Sequence, residues 1–169
     1  MIFIKTYIKN VKKEIKDLNP KVKDYFAEFE TLKNNNLELE KTNYEYLEGY
    51  IYIRYGDDII MDFYYFDNII YLWGYFINAF EELLLEGKAL FYFPDQPIEI
   101  KMKFIGKKQI LLTLDKKFKF VLPSIDFLEL MLNEAYYFCE NIKVYFRQKN
   151  DAEYELERIK KLRALLDEH

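Results

Sequence analysis

Residues 98–122 read IEIKMKFIGKKQILLTLDKKFKFVL, and their pattern decides the fold class. Ile98, Ile100, Met102 and Phe104 alternate with Glu99, Lys101 and Lys103. Ile110, Leu112 and Leu114 form a second apolar set, and Phe118, Phe120 and Leu122 a third. Gly106-Lys107-Lys108 and Asp115-Lys116-Lys117 separate the runs as turns. Successive side chains of a strand point to opposite faces, so charge on alternate positions means an antiparallel sheet with one wet face. Just upstream, Leu90 to Phe93 reads as a shorter strand that Pro94-Asp95-Gln96-Pro97 breaks.

Two helices flank this meander. Asp67 is the expected N-cap of a helix from about Asn68 to Glu86, with Ile69, Leu72, Trp73, Phe76, Phe80, Leu83 and Leu84 as its inward stripe. Gly87 fills the left-handed position after its end. Pro123-Ser124 opens the second helix, with Ser124 as cap and Leu128, Met131, Leu132, Ala135, Cys139, Ile142 and Phe146 on its buried side. Trp73, Phe76, Phe80, Phe104, Leu112, Phe120, Leu128 and Leu132 are the expected core. Earlier, Leu47, Gly49, Ile51, Ile53 and Tyr55 alternate with Glu48, Tyr50, Tyr52 and Arg54. Gly56-Asp57-Asp58 then turns the chain and Ile59 to Phe66 returns, a hairpin pattern.

Ile4, Ile8, Val11, Ile15 and Leu18 are spaced by 4, 3, 4 and 3, which predicts a helix with its lysines on the opposite face. A strand over Ile2 to Ile8 is the alternative, because β-branched and aromatic residues dominate there; the helix is preferred. Asn19-Pro20 ends that helix and starts another, on which Val22, Phe26 and Phe29 share a face up to about Lys33. A last helix begins at Asp151 with acids first and bases later, an order that suits the helix dipole and allows a Glu157–Lys161 pair. The expected organisation is a basic helical segment over 1–36, an α+β core domain over 37–148 and an amphipathic helix over 149–169. The fold class is α+β: a meandering antiparallel sheet with helices packed on one face, plus N-terminal and C-terminal helices.

The 169 residues include one Cys, Cys139, and one His, His169. These counts exclude an internal Ser-His-Asp or Cys-His triad and most His/Cys metal sites. Cys139 lies on the apolar side of its helix and reads as structural. Asp57, Asp58 and Asp62 read as turn residues rather than a divalent-cation site. No catalytic residue, cofactor or metal is expected. Lys outnumbers Arg by 21 to 4, beside 16 Tyr and 15 Phe, which points to an AT-rich genome, that of a bacterium or its phage or plasmid. The N-terminus has no signal-peptide pattern, and the most apolar stretch, Ile69 to Leu85, is interrupted by Asn78, Glu81 and Glu82. A cytoplasmic protein without a membrane span is expected.

The net charge of −4 is unevenly spread. Residues 1–23 hold seven Lys against Glu14 and Asp17, residues 24–69 hold eleven acids against Lys33, Lys41 and Arg54, and residues 70–169 are close to balanced. In the acidic region Glu38, Glu40, Glu45 and Glu48 accompany Tyr44, Tyr46, Tyr50 and Tyr52. Tyr gives large contact area with a polar tip, and carboxylates speed association with a basic partner. These eight residues are therefore the expected partner-binding set, and a basic toxin is one partner they would suit. A nucleic-acid role through the Lys face of residues 5–23 is a further alternative, against which the acidic remainder of the chain argues. The C-terminal stripe of Leu156, Ile159, Leu162 and Leu166 must dock either on its own domain or on a second copy in an antiparallel homodimer.

The element order from Tyr71-Leu72-Trp73 through Ala79-Phe80-Glu81-Glu82-Leu83-Leu84 and Gly87, across the meander to Ile125-Asp126-Phe127-Leu128 and Ala135-Tyr136-Tyr137-Phe138, resembles small bacterial immunity proteins of toxin–immunity systems. The resemblance covers about residues 45–142 and rests on element order and apolar pattern. It implies an inhibitor without catalytic residues and carries over no functional residue. A phage- or host-defence accessory protein, or a subunit of a larger assembly, is the alternative of the same non-enzymatic kind.

Overall fold

A computed structural model describes residues 1–9, 14–34, 46–146 and 152–168. The fold is α+β, with two antiparallel sheets instead of a single one. The first sheet runs in the order β2 (Phe26–Ala27), β1 (Ile2–Lys9), β3 (Glu48–Tyr55), β4 (Asp58–Met61), with β5 (Asp67–Asn68) also paired to β3. The second is the meander β6 (Lys88–Tyr92), β7 (Glu99–Phe104), β8 (Gln109–Leu114), β9 (Phe118–Pro123). Helices α2 (Ile69–Glu86) and α3 (Ser124–Tyr145) each touch both sheets, and α4 (Ala152–Asp167) packs on both of these helices. A short α1 spans Phe29–Asn34. One contiguous core joins the inner faces of both sheets to all four helices.

Among the described residues the helix expected over residues 4–18 is not formed, and Val11 lies outside them. Residues 2–9 are strand β1, paired antiparallel with β3 from Ile2↔Tyr55 to Ile8↔Gly49, and residues 14–18 are not helical. The reason lies in the spacing: an interval of four is one helical turn, but it is also two strand repeats, so Ile4 and Ile8 fit either. Thr6 shows which period holds. It sits between them on the buried face, where its hydroxyl accepts from Trp73 Nε1 at 3.3 Å. Its backbone N–H donates to Glu134 Oε1 at 2.7 Å, which satisfies a strand-edge donor from α3. Burial pushes the Glu134 carboxyl above its ordinary pKa, against the lowering effects of Thr6 and Lys5. Asn19 does act as a cap, but of a 3-10 turn over Pro20–Tyr25, where it accepts from Lys21 N at 3.0 Å.

Several local expectations shift in the same way. The return strand of the first hairpin stops at Met61, because Asp62 accepts from Tyr64 N at 3.0 Å and starts a 3-10 turn over Phe63–Tyr65. The α2 cap is Asn68, accepting from Tyr71 N, while the buried Asp67 accepts from Asp95 N at 3.1 Å and ties the first sheet to the β6–β7 loop. Gln96 Nε2 bonds Phe66 O beside it. Gly87 has φ 78° and ends α2 as expected. Ser124 is the buried first residue of α3, and the cap position before it is Pro123, which has no side-chain capping bond. The expected inward stripes of α2 and α3 are buried, whereas Phe104 and Phe120 are only partly so. Among the described residues no helix is long and apolar enough to cross a membrane.

The C-terminal helix docks on its own chain. Leu156, Ile159, Leu162 and Leu166 are all buried in the common core, so the stripe is covered by its own domain. Arg158 reaches Glu81 of α2 at 2.8 Å and Arg163 reaches Asn133 of α3 at 2.8 Å. Glu157 pairs with Lys160, not Lys161. Four buried aliphatic side chains contribute about 6–12 kcal/mol before ordering costs, comparable to a net stability of roughly 5–15 kcal/mol. Truncation after Lys149 should therefore abolish cooperative thermal melting; a truncated chain that melts like the full one would show that α4 is dispensable.

Candidate functional site

Strand alternation in the first sheet sends Ile4, Thr6, Ile8, Ile51 and Ile53 to the core and leaves Phe3, Lys5, Tyr7 and Lys9 on the outer face beside Glu48, Tyr50, Tyr52 and Arg54. Tyr7 lies directly opposite Tyr50, and their rings stack at 4.9 Å with planes 12° apart. Phe26 closes edge-on over Tyr50 at 5.0 Å, and Phe3 meets Tyr52 edge-on at 5.9 Å. Val22, Ile15 and Phe66 complete this outer cluster, which is separate from the main core.

The cluster does not close over the whole face. It leaves an open groove of about 500 Å³ lined by Tyr7, Phe26, Tyr50, Tyr52, Ile59 and Phe63, with Lys23, Asp24 and Asp62 at its edges. Half-exposed Ile59, and Tyr64 packed against Phe63, extend the apolar surface beyond it. Burial raises the phenol pKa of Tyr50, and burial with Glu28 raises that of Tyr7. Both phenols therefore stay protonated at neutral pH and serve as hydrogen-bond partners, not as bases. An aromatic floor edged by two carboxylates against the one ammonium of Lys23 suits the insertion of a cationic side chain: aromatic faces attract a guanidinium or ammonium, and a carboxylate accepts its hydrogen bonds.

The expected partner-binding residues divide. Glu38, Glu40, Tyr44 and Glu45 lie outside the described residues. Tyr46 is exposed, Glu48 is engaged by Lys9, and Tyr52 lines the groove half-buried. Tyr50 is only 6% exposed and is a floor residue rather than a free contact. Sequence reasoning missed Tyr7, Phe26 and Phe63; the alternation Phe3-Lys5-Tyr7-Lys9 was the signal for the first of these. Of the Lys face of residues 5–23, Lys12 and Lys13 lie outside the described residues, and Lys5 and Lys9 lie on β1 and pair with Glu28 and Glu48 of the same chain. Cys139 is buried, and burial pushes its thiol up to about 12, which leaves it protonated. No family model, curated protein or solved structure matches the chain.

Floor and wall differ in what they hold up. Tyr50→Ala should cost about 3 kcal/mol in urea denaturation, as buried aromatic truncations do, whereas Tyr52→Ala should cost less than about 1 kcal/mol. Equal losses at the two positions would mean that Tyr52 is part of the core.

Proposed function

We propose that this chain is a non-enzymatic protein-binding module that receives a basic side chain of its partner in the groove of the first sheet. The most concrete form is a cytoplasmic immunity or inhibitor protein that occludes a basic toxin surface. The single observation that carries it is the open aromatic groove with Asp24 and Asp62 at its edges. Its walls meet the anatomy of a binding hot spot, in which rigid aromatic rings supply contact area and charged groups orient the partner. Tyr52 comes pre-positioned by Phe3, so little side-chain freedom is lost on binding.

Co-expression with the products of the genes flanking its own, followed by calorimetry on the purified pair, tests this reading. A basic partner should bind the intact chain in a 1:1 complex and lose its toxicity. Tyr52→Ala or Asp62→Lys should weaken binding about 30-fold, the loss of one hot-spot residue. Failure of every flanking product to bind, or binding indifferent to both substitutions, would defeat the proposal.

A further inference from the structure

The outer face of the second sheet has a charge opposite to that of the molecule as a whole. Residues 88–123 hold eight lysines and three acids, a net of +5 within a chain of net −4. The register sets them in rows across the strands. Lys88 stands opposite Lys103, which continues to Leu111 and Val121; one step along, Leu90, Lys101, Thr113 and Lys119 stand side by side. Lys101, Lys103, Lys119 and Lys116 surround a hollow of about 320 Å³ whose floor is Leu111 and Thr113. The carboxylate lining it, Glu99, is already engaged: it accepts the Tyr92 hydroxyl at 2.7 Å and lies 3.6 Å from Lys116. Among the described residues no ion pair engages Lys88, Lys101, Lys103 or Lys119.

Two features of this face oppose stability. Like charges directly across a strand pair repel, as Lys88 and Lys103 do. Asp115 and Lys116 occupy φ 51° and 60° in the β8–β9 turn, a conformation in which glycine or asparagine would be less strained. That turn carries the Lys116 ammonium to the rim of the hollow.

We propose that this face binds nucleic acid through its phosphates. It is a second surface, on the other sheet, and does not rest on the groove described above. A protein interface puts apolar groups at the centre and charge at the rim, with lysine depleted. Here lysine is the commonest outward residue, against that depletion, and the exposed apolar groups Leu90, Tyr92 and Val121 lie on the two edge strands. A membrane-inserting face needs a contiguous apolar patch, but Leu90 and Tyr92 on β6 are separated from Val121 on β9 by Lys101 and Lys103 of β7. Lysine binds phosphate as a point charge, so the face supplies cationic charge rather than the planar forks of Arg. The lysines of the N-terminal segment, which the sequence offers first, are not needed for this.

Fluorescence anisotropy of a labelled fifteen-nucleotide oligothymidylate, titrated with the intact chain at 50 and 200 mM salt, tests the proposal. Saturable binding is expected, weakening about 50-fold between the two salts if four phosphates are neutralised. The double variant Lys101→Glu/Lys119→Glu, altered only at exposed positions, should keep its melting temperature and lose at least tenfold in affinity, while Tyr52→Ala should bind as the unmodified chain does. No binding at 50 mM salt, or equal binding by the double variant, would overturn the proposal. Retention on phosphatidylserine vesicles or polyglutamate in place of the oligonucleotide would overturn it as well.

Discussion

At Gly49 the backbone of β1 and the first turn of α2 close on the same point of β3. A Cβ built there would stand 2.5 Å from the Tyr7 carbonyl oxygen and 3.0 Å from Ile69 Cβ, so no larger residue fits without moving backbone. Gly49 also pairs with Ile8 on one side and Asp67 on the other. This close approach holds β1, β5 and the start of α2 in fixed relation. The register that places Tyr7 on Tyr50 and Thr6 beneath Trp73 depends on it, because a slip of one residue would send every side chain of β1 to the opposite face.

Both candidate surfaces are consequences of strand alternation. Helices α2 and α3 take the inner faces of both sheets; the outer face of the first is partly covered by Val22 and Phe26, and that of the second is left open. On the first sheet the residues left outside are aromatic and bordered by acids; on the second they are mainly lysines. The chain of net −4 is thus polarised, and its overall charge conceals a cationic face. Polar groups caught on the inner side are satisfied in place, as with Thr6 between Trp73 and Glu134. Among the described residues no buried side-chain nitrogen or oxygen lacks a partner.

The parts of the fold legible in the sequence were those with a single consistent period. The α2 and α3 stripes and the β7–β9 meander each repeat over enough residues to separate 3.6 from 2. Strand β1 was legible only as the second choice, from its β-branched and aromatic residues, since Ile4 and Ile8 satisfy both periods and Ile15, half-buried in the outer cluster, falls on the helical spacing by coincidence. The division into two sheets was hidden for another reason: pairing depends on contacts far apart in sequence, such as Ile2 with Tyr55. Tyr52 in the groove could be anticipated from the Tyr-rich hairpin. Phe26 and Asp24 could not, because their place depends on a 3-10 turn folding back across β1. The basic face was written plainly in the Lys positions of residues 98–122, but counting charge over residues 70–169 averaged it against the acids of the helices.

The most direct test of this architecture is the Gly49→Ala substitution, studied by urea denaturation and near-ultraviolet circular dichroism. Overpacking against a strand backbone should cost about 2 kcal/mol or more, and the tyrosine signal should change as β1 is displaced and the Tyr7–Tyr50 stack opens. A variant with unmodified stability and an unchanged aromatic spectrum would contradict the placement of β1 against β3, and with it the groove.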